Sequence, residues 1–250
     1  MVQLKSPREL DTMAAGGRIL AATHDAVRAA VRPGASTADL DRVAEAFIRS
    51  HEGATPSFKG LYGFPGSICA SINEEIVHGI PSPRRVLAAG DIISVDIGVF
   101  YGGLHTDAAR TWPVGAVDPQ TTRLLDITER SLEAAIDAAV EGNHLGDIGH
   151  AIETVVARAR FSIVRELVGH GVGHSMHEEP QVPNYGKPKR GMKLVPGLTI
   201  AIEPMVNAGG AATRTLADKW TVVTLDGSRS AHFEHTVAIT AAGPRVLTRS

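Results

Sequence analysis

Cysteine is all but missing from this chain. Cys69 stands alone, which excludes an intrachain disulfide and fits a reducing compartment. No run approaches the ~20 apolar residues of a membrane span, and the opening stretch MVQLKSPREL has no apolar segment of the secretory kind. Charge of either sign is not in excess: the net charge of -2 gives no basic field for nucleic acid or acidic lipid, although Lys187, Lys189, Arg190 and Lys193 cluster locally. These absences predict a cytoplasmic protein with no membrane and no specific nucleic-acid partner. At 250 residues the chain can bury a full core, as one large domain or as two fused halves.

What is present centres on Leu87 to Trp112. An alternating run (Ile93, Val95, Ile97, Val99) meets Tyr101-Gly102, and a second extended run leaves through Leu104, Thr106 and Ala108. The pattern predicts a β-hairpin. With Tyr101 and Gly102 as the turn, Phe100 faces Gly103 and Asp96 faces Asp107. Both acids then share a face with Ser94, Gly98, His105 and Ala109, opposite an apolar one. Like charges set directly across a sheet destabilise it, unless a cation sits between them.

Helices are marked by their starts. Ser6-Pro7-Arg8-Glu9 is a capping box, and the helix it opens is stopped by Pro33-Gly34. Ser36 opens a second helix ending near Gly53, Asp118-Pro119 opens a third that Gly142-Asn143 closes, and a fourth spans about 147–160. His78 lies in His-Gly-Ile-Pro, a turn that holds an imidazole at a strand end. An extended run over 161–168 delivers Gly169-His170-Gly171-Val172-Gly173-His174-Ser175-Met176-His177. Glycines flank His170 and no glutamate follows it, which argues against a helical zinc box.

Leu194-x-x-Gly197-x-x-Ile200-x-x-Glu203 then repeats Leu87-x-x-Gly90-x-x-Ile93-x-x-Asp96 at a constant offset of 107 residues. Each copy follows two helices, so a duplicated half-domain is expected. A partner strand over 232–240 carries Glu234 beside Thr236 and Ala238. Pseudo-two-fold packing would gather Asp96, Asp107, Glu203 and Glu234, with His170 as the nitrogen ligand. Two divalent cations would neutralise four carboxylates, bridge a water and lower its pKa. Mostly oxygen ligands with one imidazole favour Mn, Fe or Co over a thiolate-type zinc site.

The ordered set Asp96-x10-Asp107, His170, Glu203, Glu234 resembles the metal-ligand signature of the pita-bread metallopeptidases. Asn73-Glu74 running to His78-Gly79-Ile80-Pro81, Gly169-His170-Gly171-Val172-Gly173 running to His177-Glu178-Glu179-Pro180, Ile202-Glu203-Pro204 and Phe233-Glu234-His235-Thr236 narrow the resemblance to type I methionine aminopeptidases, in their short bacterial form. It implies an α+β pita-bread fold. Duplicated half-domains at about 6–113 and 118–240, with antiparallel sheets covered by helices, would form one catalytic domain over 1–250.

It also implies removal of the initiator methionine from nascent polypeptides with a small second residue, by a monomer that meets its substrates near the ribosome. Two divalent ions (Co, Mn, Fe, Ni or Zn) would be bridged by Asp107 and Glu234. Asp96 would chelate one, while His170 and Glu203 bind the other. Glu203 would also carry a proton, His78 and His177 would bond the scissile amide and the developing oxyanion, and Phe64, Cys69, Met176 and Trp220 would line the methionine pocket. Leu61, His174, Met176 and Lys219 stand where tyrosine, arginine, an aromatic and glycine are usual. The alternatives on this fold are an Xaa-Pro peptidase and a non-catalytic binding protein.

Overall fold

Local signals set the helices of the computed structural model, which describes residues 2–249. α1 (Pro7–Ala30) and α2 (Thr37–Arg49) both start on reciprocal capping boxes, Ser6 with Glu9 and Ser36 with Asp39. α3 (Pro119–Ala138) starts where the Asp118 carboxylate accepts from the Thr121 backbone N–H. α4 (Leu145–Arg158) starts earlier than expected, because Asp147 accepts from the His144 backbone N–H at 2.7 Å and extends the first turn back. α2 stops at Arg49, short of Gly53, and within 161–168 only Ser162–Ile163 is strand.

Two helix–helix–sheet assemblies follow one another along the chain. In the first, the ten-residue strand Ile92–Tyr101 pairs with Leu104–Pro113 on one edge, and with Ala54–Pro56 and Ile68–Ile72 on the other. Its apolar face (Ile93, Val95, Ile97, Val99) is completely buried against Leu20 and Val27 of α1 and Leu40, Ala44 and Ile48 of α2. In the second, a five-stranded antiparallel sheet runs in the order Gly243–Val246, His235–Thr240, Thr199–Ile202, Gly169–Gly171, Glu178–Val182. Ile200, Ile202, Val237 and Ile239 pack there on Leu124, Leu132 and Ile136 of α3 and Ile148, Ile152 and Val156 of α4. Each such aliphatic side chain contributes about 1.5–3 kcal/mol by leaving water. No described helix is long and apolar enough to cross a membrane.

The hairpin turn differs from the expectation. Gly102 and Gly103 form it, with φ of 58° and 87°, and the ladder pairs Tyr101 with Leu104 and Phe100 with His105. A two-residue hairpin turn of this kind needs positive φ at both central residues, which Gly-Gly meets and Tyr-Gly would resist. Asp107 therefore faces Gly98, and Asp96 faces Ala109. The acids keep their common face as diagonal neighbours, farther apart than a direct pair.

Where the two assemblies meet, the strand Leu104–Pro113 runs beside residues 230–240. Thr236 Oγ1 donates to the Asp107 carbonyl at 2.8 Å and accepts from the Asp107 backbone N–H at 2.9 Å. Thr111 Oγ1 makes the same reciprocal pair with the backbone of His232, at 2.7 and 2.9 Å. The expected strand over 232–240 is broken: Ser230–His232 pairs with Met205–Asn207, and His235–Thr240 resumes beside Thr199–Ile202. Between them, Glu234 donates its backbone N–H to the Ala109 carbonyl of the other assembly, at 2.9 Å.

Candidate metal centre

The seam opens into a cleft of about 170 Å³, lined by Asp96, Asp107, His170, Glu203 and Glu234 together with His78 and His177. Asp96 and Asp107 come from the small-residue face of the hairpin. Glu203 sits one residue past the strand Thr199–Ile202, and Glu234 in the break that the Ala109 hydrogen bond creates. Asp107, His170 and Glu234 offer ligand atoms that all lie within 4.8 Å of one another. Asp107 is 3% exposed and Glu234 1%. Carboxylates this deep must find partners or protonate. One oxygen of each finds none in the protein: Asp107 Oδ1 and Glu234 Oε1, like Asp96 Oδ1, are buried without a hydrogen-bond partner.

Their electrostatics point the same way. Burial, and then the carboxylates of Asp107 and Glu203, push Asp96 well above the usual carboxyl range. Burial, Asp107, Glu203 and Asp96 do the same to Glu234. His170 is pushed down by burial, but the Asp107 and Glu203 carboxylates outweigh this and lift it to about 9. Its Nδ1 faces the Gly171 carbonyl at 2.8 Å, so that nitrogen carries the hydrogen. Nε2, 3.6 Å from both Asp107 and Glu203, turns its lone pair toward the acids in the neutral ring. Convergent acids, orphaned oxygens and one imidazole lone pair suit hard or borderline divalent cations.

The other expected site residues lie around these five. His78 ends the strand Glu75–Val77 with φ of 60°, and Gly79 follows because a Cβ there would stand 2.3 Å from the Ala70 carbonyl oxygen. Burial holds the His78 imidazole below its ordinary pKa. Burial and the adjacent His170 ring do so for His177, whose ring centroid is 4.5 Å from that of His170. Both rings are thus neutral hydrogen-bond donors at neutral pH. Phe64, Cys69 and Met176 form one buried apolar cluster with Phe58, and Trp220 packs edge-on to Phe64 at 5.1 Å. Met176 belongs to this cluster but does not line the cleft itself. Cys69 faces Asp96 in the ladder, and burial drives its thiol well above the usual range, which leaves it an unreactive wall.

Among the cleft residues that sequence reasoning missed, two carry polar groups. Tyr62 stacks on His177 at 5.9 Å with a left-handed backbone (φ 52°), and no pattern in its glycine-rich loop marks it. His232 lines the cleft with its Nε2 buried and unpartnered. The only sequence sign was its place two residues before Glu234. Lys219, where glycine was expected, takes φ of 67°, the backbone conformation that glycine prefers.

Comparison with known proteins agrees with this geometry. Residues 11–241 match the model of metallopeptidase family M24. The chain is 54% identical to methionine aminopeptidase 1 of Bacillus subtilis, over the full length of both proteins. It is 51% identical to methionine aminopeptidase 1 of Mycobacterium tuberculosis, across 99% of this chain and 95% of that protein. The crystal structure of methionine aminopeptidase from Thermotoga maritima superposes with a TM-score of 0.98 at 42% identity, each chain covered completely. A prolidase from Pyrococcus horikoshii shares the fold alone, at TM-score 0.80 and 20% identity, and this chain covers 63% of its length. With its relatives matched end to end and its acids gathered at one cleft, the chain belongs to metallopeptidase family M24 and, within it, to the type I methionine aminopeptidases.

Proposed function

We propose that this protein removes N-terminal methionine from polypeptides whose second residue is small, using two divalent cations held by Asp96, Asp107, His170, Glu203 and Glu234. Asp107 and Glu234, the most deeply buried acids of this set, would be shared by both cations; Asp96 would serve one, and His170 with Glu203 the other. When bound, the cations supply a water of lowered pKa and polarise the scissile carbonyl. One observation carries the reading: orphaned carboxylate oxygens converge at one cleft that is closed on its far side by soft apolar groups.

The residues divide the work by chemistry. Phe64, Cys69 and Trp220, backed by Met176, offer a polarisable apolar wall to an unbranched thioether. Glu203 is 13% exposed at its side chain, more open than Glu234, and can take a proton from the attacking water and pass it to the leaving amine. His78 and His177, both neutral, donate to the substrate carbonyl and to the oxyanion that develops there, where one such donor is worth about 10²–10³ in turnover. On this reading the substrates are nascent-chain N-termini, met in the cytoplasm at or near the ribosome by a monomer.

The deciding assay compares Met-Ala-Ser with an Xaa-Pro peptide, using stripped enzyme reconstituted separately with Co, Mn, Fe, Ni and Zn. Release of free methionine from Met-Ala-Ser alone is expected. Preferential cleavage of the Xaa-Pro peptide would reject the reading, as would full activity without any added or bound metal.

A further inference from the structure

His232 has no part in the ligand set above, yet its position is hard to explain as packing. The side chain is 2% exposed, and Nε2 is buried with no hydrogen-bond partner. That nitrogen lies 3.6 Å from Glu203 Oε2 and 3.9 Å from Glu234 Oε2. On the opposite side, His170 Nε2 lies 3.6 Å from the other oxygen of Glu203, Oε1. The Glu203 carboxylate is therefore shared between two imidazoles, one at each oxygen. In its neutral, cation-binding form His170 spends its hydrogen on the Gly171 carbonyl and turns a lone pair inward. His232 is fixed differently: Thr111 Oγ1 grips its backbone N–H and carbonyl, at 2.9 and 2.7 Å, and leaves the ring aimed at the acids.

A lone pair facing two carboxylates would be repulsive, whereas an N–H would be attractive. We propose that His232 is a positioning residue of the metal centre: its Nε2–H donates to Glu203 Oε2 and holds that carboxylate while Oε1 turns to the cation beside His170. The 3.6 Å separation is a few tenths of an ångström beyond a hydrogen bond, within reach of a small rotation of Glu203. The two imidazoles thus have opposite roles at one carboxylate, lone-pair donor at one oxygen and hydrogen donor at the other. Partners of this kind fix ligand orientation and typically govern metal affinity about 10–100-fold. The proposal rests on the metal-centre reading above.

The test compares stripped wild type, His232→Leu and His232→Gln, titrated with Co²⁺ by calorimetry and followed by visible absorption. His232→Leu should weaken the tighter Co²⁺ by about 10–100-fold and alter the absorption envelope. His232→Gln, whose amide keeps a donor, should stay within a few-fold of wild type. Independently of either variant folding, ¹⁵N-histidine spectra of Zn²⁺-loaded wild type should show His232 protonated on Nε2 and bare on Nδ1. Wild-type affinity and spectrum in His232→Leu would overturn the proposal, as would a bare Nε2. Wild type that takes up no Co²⁺ would instead overturn the metal-centre reading, and this proposal with it.

Discussion

Replacing Glu234 by glutamine should strengthen the metal-free protein and weaken the loaded one. Glu234 is 1% exposed, its Oε1 has no partner, and three other acids face the same cleft. Near pH 7.5, about 3 pH units above the ordinary carboxyl value of 4.5, the stripped fold must bury this charge or keep it protonated, at about 1.4 kcal/mol per pH unit. The ceiling on that cost is about 4 kcal/mol, and glutamine removes it while keeping the shape and adding a donor for its acidic neighbours. A gain of about 2–4 kcal/mol should raise the melting temperature in EDTA by roughly 5–10 °C for a chain this long. With each of the two cations at about 100 times its dissociation constant, wild type gains about 2.7 kcal/mol per site by mass action, about 5.4 kcal/mol in all and more than the variant's lead. The variant, lacking a bridging anion, gains little. Thermal unfolding in EDTA and in excess Co²⁺ should thus show the order of the two proteins reverse. A stripped variant less stable than stripped wild type, or equal stabilisation of both by Co²⁺, would refute the argument.

Three further outcomes are expected. His177→Ala should lower kcat on Met-Ala-Ser by about 10²–10³ with unchanged metal content, since this residue serves no cation in our assignment; loss of metal would contradict its role. Asp107→Asn should disturb both cation sites and Asp96→Asn mainly one, as read by the stoichiometry of a Co²⁺ titration. Metal-free wild type should lose stability as pH rises from about 7.5 to 9. His170, raised to about 9 from 6.5, contributes stability that is present below 6.5 and lost as pH climbs through 9. Asp96 and Glu234, also raised, act with the same sign. Melting curves in EDTA between about pH 7.5 and 9 check this, above the range where the lowered imidazoles of His24, His78, His177 and His235 act with the opposite sign; a melting temperature that rises across that window would count against it.

Much of this site was legible because it depends on local rules. The capping residues Ser6, Ser36 and Asp118 mark where helices begin, as chain chemistry alone requires. Asp96 and Asp107 were placed on one face although the turn was assigned one residue early, because that error shifts pairing by two residues and keeps the side-chain alternation in phase. What escaped was non-local. The break at residues 233–234 follows from the Glu234 amide bonding across to Ala109, which no window of sequence contains. His232 acquires its place in the cleft from that break and from Thr111, 121 residues away along the chain. Tyr62 lies in a loop where neither helical nor strand period applies.

The paired threonine hydroxyls at the junction have a practical consequence. Thr236 clasps the backbone of Asp107, and Ala109 holds that of Glu234, so each assembly positions the acid to which our proposal gives a bridging role in the other. Cation affinity is then a gauge of how well the two assemblies are docked: a slip of a fraction of an ångström would release metal while every helix and strand stayed formed. Damage anywhere along that junction would first be noticed as a demand for more cofactor, well before any sign of unfolding.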